Sequence, residues 1–312
     1  MDELKDDVTA EEIKQYCLRE YDAVRGNKGY GYRQGLNTNY HQQYKKTIQC
    51  RDCDIYEKCE DAGKIKIIDN YPYQVMFNGI LIYEGCYHSN WMTNIIKVLK
   101  GHHEPQDECV FIDIVRKYVP DNSVMIELGS FWGFYSLILK KEKPLSKNYL
   151  VEPVLDKLKI GKHNFDINNF SGTFINSHIS KERSNTFKDW DDKNIYCQGI
   201  TLDDLIKYYD LDRVNIVHAD IQGAELELLD ECESLKNEKI DFLFIGTHVR
   251  NNIIKEKLLK YNYHILADIE KKETYADDGL VVACCSKFKN IIIPNISKYN
   301  NFKGNLKFLT YK

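Results

Sequence analysis

A chain of 312 residues, 43% hydrophobic and 29% charged, has the composition of a soluble globular protein with room for one large domain and an extension. A net charge of −4 weighs against a general affinity for nucleic acid or acidic membranes. Ten cysteines without a secretion signal point to reduced thiols in a cytoplasm, and no apolar run is long enough to span a bilayer.

Near the start, Thr9 and Glu12 have capping-box spacing. Ile13, Tyr16, Cys17 and Val24 recur on one face behind them, predicting a first helix. The stretch "RGNKGYGYRQGLNTNYHQQYKK", Arg25 to Lys46, is rich in Gly, Asn and Tyr and reads as a mobile loop leading into polar helix. Lys64–Ile68 and Tyr73–Tyr83 alternate as strands, with Asn78-Gly79 as a hairpin turn. Trp91–Leu99 and Val110–Tyr118 read as helices.

From Asn122 the rhythm becomes strand, helix, strand. The predicted strands are Val124–Leu128, Asn148–Glu152, Thr173–Ile175, Asn215–Asp220 and Phe242–Thr247. Helices fall between them, including Thr201–Tyr209, Ala224–Glu231 and Ile253–Tyr261. Such alternation predicts an α/β fold with a parallel sheet covered on both faces. Tyr263–Asp268 and Leu280–Cys284 are joined by a polar loop without a helix, which demands an antiparallel hairpin.

In a sheet of this kind ligands bind at the carboxyl ends of the strands. The first strand ends in Glu127 and opens into a turn bracketed by Gly129 and Gly133, and the second ends in Glu152-Pro153. The fourth ends in Asp220, within "ADIQGAELELL", and the fifth leads into His248. Gly-x-x-x-Gly lacks the spacing that seats a dinucleotide pyrophosphate, which disfavours a nicotinamide-dependent oxidoreductase. An acid before the first glycine suits an ammonium group, and an acid about twenty residues later suits ribose hydroxyls. A ligand with both features is S-adenosylmethionine.

The segments "EPQDECVFIDIVRKYVPDNSVMIELGSFWGFYSL", "NYLVEPVLDKLKIGKHNFDIN", "GITLDDLI", "VNIVHADIQGAELELL" and "FIGTHVR" together resemble the FkbM-type methyltransferases. These belong to the Rossmann-like S-adenosylmethionine enzymes, and the resemblance covers Glu104 to Cys285. It implies a mostly parallel methyltransferase sheet with a C-terminal antiparallel hairpin. It also implies that Glu127, Gly129 and Gly133 line the methionine side and Glu152 holds the ribose. Around them Ser130, Phe134, Tyr135, Ser136, Pro153, Ile179, Asp220 and Gln222 are expected at the cofactor. The family usually has small or amide residues after the first glycine, where this chain has Ser130-Phe131-Trp132. Trp132 must therefore point away from the cofactor, or the pocket is reshaped.

The organisation expected is an N-terminal cap over 1–103 (helix, loop and hairpin), a cofactor domain over 104–288 and a tail over 289–312 packed on it. The function expected is O-methylation of a glycan, a glycan precursor or a related metabolite, with N-methylation of an amino group as the alternative. A non-catalytic adenosyl-binding module is the different-class rival. No nucleic-acid partner is expected, and an assembly of identical chains is compatible with the sequence. For the chemistry, His248 is the expected base and Asp220 its neighbour. A divalent cation could be shared there, and Asp277-Asp278 could assist it. Cys50, Cys53 and Cys59 are read as thiols on a surface helix rather than a metal site, since a fourth ligand such as Cys86 or His88 would have to come from elsewhere. Trp91 and Trp190 read as core aromatics, and Cys284-Cys285 as buried packing.

Overall fold

The computed structural model describes residues 1–26, 36–188 and 194–299. Five strands run parallel: β1 (Val124–Leu128), β2 (Lys147–Val151), β3 (Thr173–Ile179), β4 (Val214–Ala219) and β5 (Ile240–Thr247). Two more, β6 (His264–Ile269) and β7 (Gly279–Cys284), form an antiparallel hairpin. The spatial order is β3-β2-β1-β4-β5-β7-β6, with β7 antiparallel to β5. This is the mixed α/β sheet expected, including its terminal hairpin. Strand order reverses between β1 and β4, so a crevice opens beyond their C-terminal ends.

Side-chain alternation divides the interior into two cores. Met125, Leu150, Ile216, Phe242, Phe244 and Val282 face one, while Ile126, Val151, Val217, Leu243, Ile245 and Val281 face the other. Because both faces are covered, the strands read as nearly continuous apolar runs. In the extension, α1 (Ala10–Gly26) begins at the expected box, with the Thr9 N–H donating to Glu12 Oε2 at 2.9 Å. After α2 (Leu36–Thr47) and α3 (Ser89–Val98), the helices α4 (Pro105–Tyr118), α5 (Phe134–Glu142) and α6 (Leu155–Ile167) cover the first face. On the second face lie α7 (Leu202–Tyr208), opened by a Thr201/Asp204 capping box, and α8 (Asn251–Lys260). Among the described residues no helix is long and apolar enough to cross a membrane.

The extension carries a three-stranded sheet, Ile65–Ile68, Tyr71–Val75 and Leu81–Tyr83. Asn78-Gly79 lies in its second turn, as expected. Its first turn, Asp69-Asn70, has φ of 49° and 66°, the pair of left-handed residues that a two-residue hairpin needs. The edge at Leu81–Tyr83 is closed by amides of α6 and its C-cap: Asn168, the cap, accepts from Leu81 N at 2.9 Å and Asn164 from Tyr83 N at 3.0 Å. The extension and α4–α6 therefore share a core rather than meeting at a linker.

Among the described residues four short strands were not expected, two of which, Thr186–Lys188 and Asn194–Tyr196, pair antiparallel with each other. Asp2–Glu3 pairs antiparallel to β3, and Gln198–Ile200 pairs parallel to it. The helix expected over Ala224–Glu231 shrinks to Glu225–Leu228, preceded by Gln222 and Gly223 at φ 53° and 108°. From the tail, Ile291, Ile293 and Ile296 rest on the first core, and Gln106 Nε2 donates to Ser297 O at 2.7 Å. Part of the Arg25–Lys46 loop, Trp190 and the tail from 300 lie outside the described residues.

Candidate active site

β1 delivers Glu127, which is 3% exposed, to the crevice between β1 and β4. Burial pushes its carboxyl up to about 7, against the Ser136 N–H that donates to Oε2 at 2.9 Å. Gly129 follows at φ 71°, and a Cβ there would stand 1.9 Å from the Asp220 carbonyl oxygen. No side chain fits between these two strand ends, so the turn needs glycine for both conformation and space. Gly133, at φ 72°, instead starts α5, where a Cβ would press on Leu150 at 3.0 Å.

β2 delivers Glu152, whose two oxygens accept from Phe131 N at 3.2 Å and Val154 N at 2.9 Å. The glycine turn is thereby tied to the next strand. Burial raises the Glu152 carboxyl, with Lys157 acting in the opposite direction. β4 delivers Asp220, raised to about 6 by burial and by Asp278, with His248 opposing. Gln222 Nε2 donates to Asp220 Oδ1 at 3.1 Å.

These groups line one cleft, whose space together with its open mouth is about 1320 Å³. Of the residues expected at the cofactor, Glu127, Gly129, Ser130, Phe134, Tyr135, Glu152, Pro153, Ile179, Asp220 and Gln222 line it. Gly133 and Ser136 stand behind the wall, shaping the turn and holding Glu127. Four lining residues carry buried polar atoms without a protein partner: Ser130 Oγ, Tyr135 OH, Ser177 Oγ and His218 Nδ1. Buried polar groups are normally paired, so these fit a polar ligand such as S-adenosylmethionine.

Trp132 does not point away. It lines the cleft, 4% exposed, stacked between Tyr87 and Phe134 with ring centroids 4.7 Å apart on each side. The pocket is reshaped by this ladder, and Phe131, at φ 40°, joins its wall.

His248 does not line the cleft but stands against three carboxylates. Its Nδ1 is 2.8 Å from Glu225, and its Nε2 is 3.0 Å from Asp278 and 3.7 Å from Asp220. Burial disfavours its charge, but the hydrogen bonds to Asp278 and Glu225 prevail and raise it to about 10. At neutral pH it is an imidazolium, without a lone pair for an acceptor's proton. Asp220, His248 and Asp278 offer donor atoms within 4.8 Å of one another, a set that could hold a divalent cation. The acidic pair of the last hairpin is thus divided, since Asp277 is 81% exposed near Lys271.

The sequence reading missed what the extension and α4 bring: Tyr87, His88, His103, Glu104 and Asp107. Glu104 is raised to about 8, first by burial and then by Asp107, Asp220 and Asp278, with His103 opposing. It also missed His218, stacked on Tyr135 at 3.9 Å and lowered to about 3 by burial and His103. A polar residue inside the apolar run "VNIVHAD" was the available signal. For the residues of the extension there was none.

No family model matches the sequence, and neither does any curated protein. Among solved structures, the chain is similar to TrmK of M. capricolum in complex with S-adenosyl-homocysteine, at 13% identity and TM-score 0.39 over 56% of this chain and 67% of that one. The B. subtilis M1A22 tRNA methyltransferase TrmK is 18% identical, with TM-score 0.35 over 56% and 65%. The precorrin-6y C5,15-methyltransferase of Geobacter metallireducens is 16% identical, with TM-score 0.38 over 59% and 89%. The chain spans about two thirds of the length of the first two. Identity and superposition at this level transfer no substrate.

Proposed function

We propose that this chain is an S-adenosylmethionine-dependent methyltransferase that modifies a hydroxyl of a glycan, a glycan precursor or a related metabolite. The observation that carries the reading is the convergence of Glu127, Gly129, Glu152 and Asp220 on one cleft at the strand-order reversal. The unpartnered Ser130, Tyr135, Ser177 and His218 in its wall support it. The FkbM-type resemblance suggests the acceptor class, and Phe131 and Tyr87 supply aromatic wall of the kind ligand pockets use.

When bound, the cofactor supplies an electrophilic methyl group on a sulfonium. Glu152 accepts from the ribose hydroxyls, Gly129 leaves its backbone open to the ligand, and Glu127 faces the amino-acid end. Such alignment contributes several kcal/mol to an in-line displacement. Asp220, raised to about 6, accepts the hydroxyl proton at its carboxylate. His248 keeps its own proton and orients Asp220 and Asp278 as a positioning residue. The same trio would seat a divalent cation once that proton is displaced, which a comparison of turnover with EDTA and with added Mg²⁺ tests.

An amine acceptor is the second reading, favoured by the acidic groups Glu104, Asp107, Asp220 and Asp278, which line the cleft beside Glu127 and Glu152. Mass spectrometry of candidate acceptors after incubation with methyl-labelled cofactor tests both readings. Label on oxygen supports the first and label on nitrogen the second. Labelled cofactor that binds without transfer to any acceptor would leave a binding module.

A further inference from the structure

The thiols expected on a surface helix are largely interior, with Cys50 1% and Cys53 2% exposed. Cys59 stands apart, its Sγ 3.5 Å from Met76 O. Cys53 Sγ donates instead to Pro105 O at 3.2 Å, which ties the extension to the first turn of α4. That turn also faces the cleft. Glu104, its N-cap, and Asp107 are three residues apart, which places both on one face of the helix, and both line the cleft.

Glu104 is held from behind. Glu108, wholly buried, accepts from His103 N at 2.7 Å and from Glu104 N at 2.9 Å through one oxygen. That oxygen also stands 2.8 Å from His103 Nδ1, while the other is 2.5 Å from His102 Nδ1. His103 Nε2 is 3.5 Å from Glu104 Oε2, and its ring is set edge to face against Trp132 and Phe134 at 4.9 and 4.4 Å. Asp107 has no such support. Among the described residues nothing donates a hydrogen bond or an ion pair to its carboxylate.

The other acids of the cleft are already engaged. His248 stands 3.0 Å from Asp278 and 3.7 Å from Asp220, and Glu152 and Glu127 accept from backbone N–H groups. Burial raises the Asp107 carboxyl, and Asp278 and Asp220 raise it further, as expected of negative charge without a matching cation. A second group in the same wall lacks a partner. Tyr135 is 5% exposed and lines the cleft, and its hydroxyl bonds to nothing in the protein. Its ring packs on Phe111 of α4 at 5.0 Å, on the side of the cleft that carries Glu104 and Asp107.

We infer that Glu104 and Asp107, with the Tyr135 hydroxyl, form a subsite for an ammonium group on the methyl acceptor, which is therefore an amino sugar with its amine free. An alkylammonium brings one positive charge and three N–H donors, and two carboxylates with a hydroxyl offer the acceptors to meet them. A neutral or N-acetylated sugar would leave both acids unpaired, so the subsite discriminates against it. The cofactor's own ammonium group is met by Glu127 at the strand end. The subsite is assigned to the acceptor on the methyltransferase reading above, and it holds whichever atom takes the methyl.

The test is isothermal titration of the full chain saturated with S-adenosylhomocysteine, with glucosamine, N-acetylglucosamine and glucose as probes. Glucosamine should bind about tenfold or more tightly than the other two, through charge-assisted hydrogen bonds that neutral sugars cannot make. That preference should weaken as salt is raised and disappear in Glu104→Gln and in Asp107→Asn. S-adenosylhomocysteine affinity should stay unchanged in both variants, which also shows that they are folded. Equal binding of the three sugars, no binding of glucosamine, or a preference that survives in both variants would overturn the inference. Failure of S-adenosylhomocysteine to bind the wild-type chain would count against the methyltransferase reading instead, and glucosamine titrated alone then decides the subsite.

Discussion

Replacing Gly129 by alanine should damage both stability and cofactor binding, and the structure separates the two causes. The residue sits at φ 71°, where an L side chain costs about 1–2 kcal/mol. The new Cβ would also meet the Asp220 carbonyl at 1.9 Å, well inside the 3.0 Å that real Cβ atoms keep. That partner is backbone on a central strand end, with Asp220 N bonded to Leu128 O at 3.1 Å, so it cannot rotate aside. Overpacking of this kind adds about 1–3 kcal/mol, for a total of about 2–5 kcal/mol. The melting temperature should fall by roughly 3–8 °C. Gly79 is the control: φ is 85° with nothing within 4 Å of an added Cβ, so Gly79→Ala carries the conformational cost alone. Calorimetric melting of both variants, with titration of S-adenosylmethionine, measures the difference. Cofactor affinity should drop tenfold or more in Gly129→Ala and stay unchanged in Gly79→Ala. Equal melting temperatures with wild-type affinity in both would refute the reasoning.

Glu152→Ala should weaken S-adenosylmethionine binding by about 1.5–3 kcal/mol through lost charge-assisted hydrogen bonds, and isothermal titration showing no change would remove Glu152 from the site. His248, raised to about 10 from an ordinary 6.5, stabilises the fold fully below pH 6.5, and that stabilisation is lost as pH rises toward 10. Melting temperatures across this range should fall less steeply in His248→Gln than in the wild-type chain, and parallel curves would contradict the ion cluster. If Asp220 accepts the proton, kcat/KM should rise through a limb near pH 6, and Asp220→Asn should lose about a hundredfold or more in turnover with cofactor affinity little changed. A limb near 10 that disappears in His248→Ala would return the role of base to the histidine.

The sequence by itself determined the sheet, its terminal hairpin and the strand ends that meet at the cleft. Long buried strands leave an apolar run, and the turns that punctuate them leave glycines and acids at legible positions, as at Glu127-Leu128-Gly129 and Glu152-Pro153. Local backbone chemistry is enough for those features. Only tertiary structure decided which faces the cleft would have and what charge its groups would carry. Trp132 turned inward because Tyr87, forty-five residues away, offered a flat ring to stack on. His248 became a cation because Glu225, at the start of a short helix, and Asp278, from the last hairpin's loop, closed on its two nitrogens. Cys53 left its neighbour Cys59 for His102 and Glu108 because the extension folds onto α4. Stacking, ion pairing and hydrogen bonding all act over a few ångströms between residues that sequence spacing leaves far apart, so only the packed chain could bring these partners together.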